Sequence, residues 1–106
     1  MSHNDMRLSR TALEVLKCLL ADAGSGHSGA EIARHARASP GTLYPLLARL
    51  ESAGWATSKW ENVEPAKVGR PRKRFYRLTA LGRQKTHEAL APLQVGSEVG
   101  GLAWNA

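Results

Sequence analysis

Hydrophobic positions along the chain fall into two kinds of spacing, and the switch between them locates the elements. Leu8, Ala12, Leu13, Leu16, Leu19 and Leu20 recur at the spacing of one helix face, and Thr11 with Glu14 offers a capping box near the start. Gly24, Ser25 and Gly26 end that pattern. Ser28 with Glu31 forms a second S-x-x-E box, which opens a short helix through about Arg37 with Ile32, Ala33 and Ala36 inward. Ser39 followed by Pro40 signals another helix start, and Leu43, Leu46, Leu47 and Leu50 then make an i, i+3, i+4, i+7 stripe that stops before Gly54. Pro45 interrupts this third helix, because an interior proline removes a backbone donor and crowds the carbonyl four residues back. The expectation is a distorted turn at Pro40 to Thr42, or a helix that effectively begins near Thr42.

Beyond Gly54 the period changes. Trp55 to Val63 is rich in aromatic and β-branched residues, and Arg74 to Thr79 sets Tyr76 and Leu78 on one face, so the two segments predict a β-hairpin. Its connection contains Pro65, Gly69 and Pro71 and is expected to be extended and mobile. A last helix from about Ala80 presents Leu81, Ala89, Leu90 and Leu93 and fades at Pro92 and Gly96. Three helices, a hairpin and a final helix spell a mainly α fold with a two-stranded β-wing, the winged helix-turn-helix. With 106 residues, 42% of them hydrophobic, the chain builds one compact unit. The expected division is 1–79 for the winged helix-turn-helix, 80–95 for the C-terminal helix of the same unit, and 96–106 for a glycine-rich tail.

Charge changes the picture from fold to partner. The net charge is +6. The stretch from Pro65 to His87 holds Lys67, Arg70, Arg72, Lys73, Arg74, Arg77, Arg83 and Lys85 without one Asp or Glu. Such a local field favours a polyanion, since each neutralised phosphate releases counterions. Within it, Gly69 to Arg74 reads GRPRKR, similar in chemistry to the core of AT-hook motifs. Its proline keeps the chain extended while arginines on either side suit a narrow minor groove.

On a helical wheel the third helix places Gly41, Pro45, Ala48 and Ser52 opposite its leucines, flanked by Tyr44 and Arg49. A flat outer face lets a helix sit close to base edges in a major groove while the flanking side chains reach bases or phosphates. Ser39, Gly41 and Thr42 stand at the helix start, where free backbone donors suit a phosphate, although Ser39 and Thr42 would cap any helix. The DNA-binding candidates are therefore Ser39, Gly41, Thr42, Tyr44, Pro45 and Arg49 on the helix, with Lys67, Arg70, Arg72, Lys73 and Arg74 on the wing.

Other chemistry finds less support. His3, His27, His35, His87 and Cys18 match no compact ligand spacing, so no metal or other cofactor is expected. Ser39 or Tyr44 with a distant histidine gives no nucleophile and base in a recognisable order, so no enzymatic activity is expected. One cysteine allows no internal disulfide, and no apolar run is long enough to span a bilayer, which together predict a cytoplasmic protein without a membrane role. Trp55 and Trp60 have opposite parity on the first strand, so one turns away from the core. That ring packs on the terminal helix or a partner subunit, or else lines an effector pocket.

The wording SPGTLYPLLARLESAGW followed by GRPRKRFYRLTALGR resembles the DNA-binding domain of PadR-family transcription regulators, over roughly Leu8 to Leu90. The resemblance implies a homodimeric repressor on double-stranded DNA. Its third helix would enter adjacent major grooves, and its hairpin would lie on the minor groove or backbone. It further implies dimerisation through the first and last helices, which assigns Leu8, Leu13, Leu16, Leu20, Leu90 and Leu93 to that interface. Family members respond to phenolic acids or flat hydrophobic drugs. Here Trp104 is the only aromatic residue after Tyr76, so no effector carries over residue by residue; whether a small hydrophobic effector exists stays open and no ligand is assigned. The competing reading is a winged-helix module that holds a protein or RNA partner on the same basic surface.

Overall fold

In order along the chain, the elements are α1 (Arg10–Ala21), β1 (His27–Ser28), α2 (Gly29–Ala36), α3 (Pro40–Ser52), β2 (Ala56–Trp60), α4 (Pro65–Val68), β3 (Arg74–Leu78) and α5 (Ala80–Val99). The structure is a computed structural model that describes residues 8–21 and 26–99, the stretch 92–99 as backbone only. Gly24, Ser25, His3, Trp104, the tail from residue 100 and the Leu93 side chain lie outside the described residues.

Local chemistry explains most of the helix boundaries. The cap of α1 is Ser9 in place of the expected Thr11 box: its Oγ accepts from the Ala12 N–H at 3.1 Å. At α2 the capping box is reciprocal, with the Glu31 N–H donating to Ser28 Oγ at 3.2 Å and the Ser28 N–H to Glu31 Oε1 at 2.9 Å. Arg37 ends α2 in the left-handed region at φ 54°. The Ala38 N–H returns to the Ala33 carbonyl at 3.0 Å and turns the chain into α3.

The third helix is regular from Pro40 onward, so neither expected distortion occurs. Thr42 and Leu43 N–H groups both reach the Ser39 carbonyl, at 3.0 and 2.8 Å. The acceptor that Pro45 leaves without its donor belongs to Gly41, which is exposed, so water can replace the lost bond.

The wing belongs to a three-stranded antiparallel sheet of order β1-β3-β2, not to a two-stranded one. His27 pairs with Tyr76 and Ser28 with Phe75 along one edge of β3, and Ala56 to Trp60 pair with Leu78 to Arg74 along the other. A strand as short and polar as His27–Ser28 has no periodicity from which to read it. The first hairpin strand also stops at Trp60, short of the expected Val63. The connection, expected to be extended, contains the single turn α4, which Gly69 closes at φ 73°.

Beneath the sheet, Val15, Leu16, Leu19, Ile32, Leu43, Leu47 and Leu50 form the fully enclosed centre of the core, joined by Trp55, Tyr76 and Leu78. Leu16 has no exposed surface in the single chain, which corrects its expected place in a dimer interface: a side chain surrounded by its own core has nothing left to offer a partner. Leu90 is also buried, while Leu8, Leu13 and Leu20 are half-buried. The last helix packs against α1 and β3. It comes close at Gly82, where a Cβ would run into the Trp55 carbonyl group, 2.8 Å from its carbon. That carbonyl also accepts from the Thr79 N–H at 2.9 Å. The helix does not fade at Pro92 or Gly96 but continues to Val99, because an already nucleated helix can survive one missing hydrogen bond.

Candidate nucleic-acid interface

The outer face of α3 is open over its whole length. Gly41, Thr42, Tyr44, Pro45, Ala48, Arg49 and Ser52 are all exposed, and the leucine stripe holds the helix from behind. Ser39 does not cap the helix with its side chain; its hydroxyl donates to Thr42 Oγ1 at 3.3 Å, which leaves the first backbone donors uncovered by that side chain.

Tyr44 is 46% exposed. Its ring crosses the start of α2 directly over Gly29, where a Cβ would collide with the hydroxyl and stand 2.9 Å from Cζ. Gly29 thus decides where the Tyr44 ring lies, a dependence between distant positions that the chain does not display.

Within the wing, acidic residues from outside the basic run are folded onto it. Arg70 holds Glu61 with both terminal nitrogens, at 2.7 and 2.9 Å. Glu61 also accepts from the Lys73 N–H at 3.1 Å and donates its own N–H to the Lys73 carbonyl at 2.7 Å. These donors, the Arg70 side chain first, hold the Glu61 carboxyl down at about 2. Arg72 Nε donates to the Val63 carbonyl at 3.0 Å, and Lys67 lies 3.8 Å from Glu64. The connection is therefore tied at several points and is not a bare extended loop.

Arg74 turns inward along the sheet. Its Nε donates to Ser58 Oγ at 2.8 Å, Ser58 donates to Glu51 Oε2 at 2.6 Å, and Arg74 itself lies 3.9 Å from Glu51. The guanidinium also stands 5.2 Å from the ring centre of Trp60, within cation–π range. Trp60 is 56% exposed and Trp55 3% exposed, but not through the expected strand parity: Trp55 precedes β2, and Trp60 lies on the same face as buried Ala56, at its outer end.

These pieces meet in one open cleft of about 420 Å³ between the start of α2, the Tyr44 side of α3, and the wing. Tyr44, Trp60 and Tyr76 supply its rings, and Arg72, Lys73 and Arg74 its charge. Of the expected site, then, Tyr44, Arg72, Lys73 and Arg74 come together; Ser39, Gly41, Thr42, Pro45 and Arg49 continue along α3, and Lys67 and Arg70 stand outside the lining. Trp60, Gly29 and Glu61 were not among the expected site residues; Trp60 is exposed because it ends the inner face of β2, which the parity of the two tryptophans did not reveal.

Burial, followed by the charge of Glu31, pushes the Cys18 thiol up, the reverse of what an activated nucleophile needs. Among the described residues no group of three or more His, Cys, Asp or Glu could hold a metal ion. Among them, too, no helix is long and apolar enough to cross a membrane.

A helix with an open outer face, held by two others and set beside a basic β-wing, defines a winged-helix DNA-binding protein. Residues 29–88 match the Transcriptional regulator PadR-like family, and the chain belongs to that family. It is 50% identical over 54 residues to "Transcriptional regulator Rv3488" of Mycobacterium tuberculosis, a stretch that covers 50% of this chain and 46% of that protein. Among solved structures it is similar to smu.1704 from Streptococcus mutans UA159, at 25% identity and a TM-score of 0.63, over 95% of this chain and 94% of the other. It shares the fold of S. aureus MepR in its complex with DNA, at 15% identity and a TM-score of 0.69, over 92% and 74% of the two chains. The match spans less than half the length of that curated relative.

Proposed function

We propose that the protein is a homodimeric repressor that reads an inverted-repeat operator with α3 and grips it with the wing. The observation that carries this reading is the shared cleft. The open face of α3 and the cations Arg72 and Lys73 flank the same concavity, so one duplex can engage both at once. In this arrangement Tyr44 and Arg49 contact base edges, Ser39, Gly41, Thr42 and Pro45 allow close approach to the groove and backbone, and the wing neutralises phosphates. Lys67 and Arg70 contribute through the local field, and Arg74 through the shape of the wing. A dimer would use the exposed parts of α1 and α5 around Leu8, Leu13 and Leu20, residues that do not line the cleft. Such a protein works in the cytoplasm, needs no cofactor, and performs no chemistry on the DNA. Any small hydrophobic effector would act by shifting the spacing of the two reading helices.

Fluorescence anisotropy against a selected operator and an unrelated duplex, across a salt series, tests the division of labour. Arg72→Ala and Lys73→Ala should weaken both duplexes alike and flatten the salt slope by about one unit each. Tyr44→Ala should lose about 1–3 kcal/mol on the operator and much less on the unrelated duplex. Equal losses on both would remove base reading from α3, and an unchanged slope would remove the wing.

A further inference from the structure

We infer that Trp60 is a DNA-contacting residue, whose ring packs against the deoxyribose of the strand that separates the two grooves, and that Arg74 is the residue that positions it. This inference rests on the DNA-binding reading above and assigns the cleft within it.

A helix in a major groove and a hairpin in the neighbouring minor groove stand on opposite sides of one sugar–phosphate strand. Between the Tyr44 face of α3 and the wing the structure has a cleft of about 420 Å³, and that strand would run through it. The lining matches the chemistry of a backbone. Arg72 and Lys73 supply positive charge for phosphates, and Trp60 supplies a flat apolar face of the kind that packs on a sugar. Among the described residues none of α1 or α5 lines the cleft, which sets the ring apart from the surface expected between subunits.

The sheet also explains why Trp60 points there. Ala56, Ser58 and Trp60 share one face of β2, opposite Leu78, Tyr76 and Arg74 of β3. Along that face burial falls from Ala56 and Leu78 in the core to Trp60 at the rim, so the inner surface of the sheet emerges directly into the cleft. An aromatic ring 56% exposed would ordinarily be free to turn. Arg74, which lines the same cleft, holds the ring at 5.2 Å, and Ser58 at 2.8 Å and Glu51 at 3.9 Å hold Arg74 in turn. With its charge shared with Glu51, Arg74 is suited to hold the ring and not to release counterions.

The test measures binding of the full chain to a labelled mixed-sequence duplex of about two helical turns, over a salt series. Trp60→Ala should weaken binding about tenfold with the salt slope unchanged, because the ring carries no charge, while Trp60→Phe should keep most of the affinity. Arg74→Ala should lose a similar factor, also at constant slope, and the Trp60→Ala/Arg74→Ala pair should lose little more than either alone. The emission that disappears in Trp60→Phe should be the part that DNA quenches. Binding by Trp60→Ala within about twofold of the unsubstituted chain, while Arg72→Ala is weakened, overturns the role of Trp60 and leaves the DNA-binding reading standing. A slope flattened by Arg74→Ala overturns its positioning role and makes it a phosphate contact. No binding of the duplex by the unsubstituted chain at low salt overturns both readings.

Discussion

A missing methyl group at position 29 governs the aim of an aromatic side chain on another helix. Any side chain there would collide with the Tyr44 hydroxyl, the far end of a flexible group, so the ring and not the backbone gives way. Gly29→Ala should therefore fold with a thermal midpoint within a few degrees of the unsubstituted chain. Its operator affinity should nevertheless fall by about tenfold, as seen in anisotropy, because Tyr44 no longer lies where α3 and the cleft meet. Glu61 makes a second prediction at this scale. Its carboxyl is depressed from 4.5 to about 2 by Arg70 and the Lys73 N–H, so its contribution to the wing is complete above the unfolded value and is lost as pH falls through about 2. A carboxyl-detected NMR titration should show Glu61 with a midpoint near 2, rising toward the ordinary 4.5 in Arg70→Ala. An unchanged midpoint in that variant would mean that the Arg70 contact does not persist in solution.

Elements were legible where one physical rule acted locally. The reciprocal Ser28–Glu31 cap, the Pro40 start of α3 and its leucine stripe follow from residues within one turn of each other, and the structure repeats them. The strand His27–Ser28 was not legible, because its existence depends on the free edge of β3 some fifty residues later. The same holds for the wing. A run of cations without acids reads as a bare positive loop, yet Glu51, Glu61 and Glu64 come from outside the run and meet Arg74, Arg70 and Lys67. Pro45 was over-read, since the carbonyl it leaves without a donor happens to face water. The fit of α5 against Trp55 is likewise a tertiary fact. Gly82→Ala would press a methyl into the Trp55 carbonyl group, which is backbone and cannot swing aside. It should lower stability by about 2–3 kcal/mol in urea denaturation, whereas Gly41→Ala, in open space, should not.

For the molecule as a whole, the enclosed leucine core joins α3 and the wing in one unit, and in the proposed dimer recognition would depend on how two such units are spaced. Leu16 belongs to that core, so the proposed dimer would meet on the half-buried leucines of α1 and the outer side of α5. Sedimentation should accordingly give twice the 11.5 kDa of the chain. The most direct test of a dimeric operator reader is selection of bound duplexes from a random-sequence library by the full chain. The expected outcome is an enriched inverted repeat whose half-site centres lie about one helical turn, roughly 34–36 Å, apart. An enriched sequence without two-fold symmetry, or no enrichment at all, would contradict it.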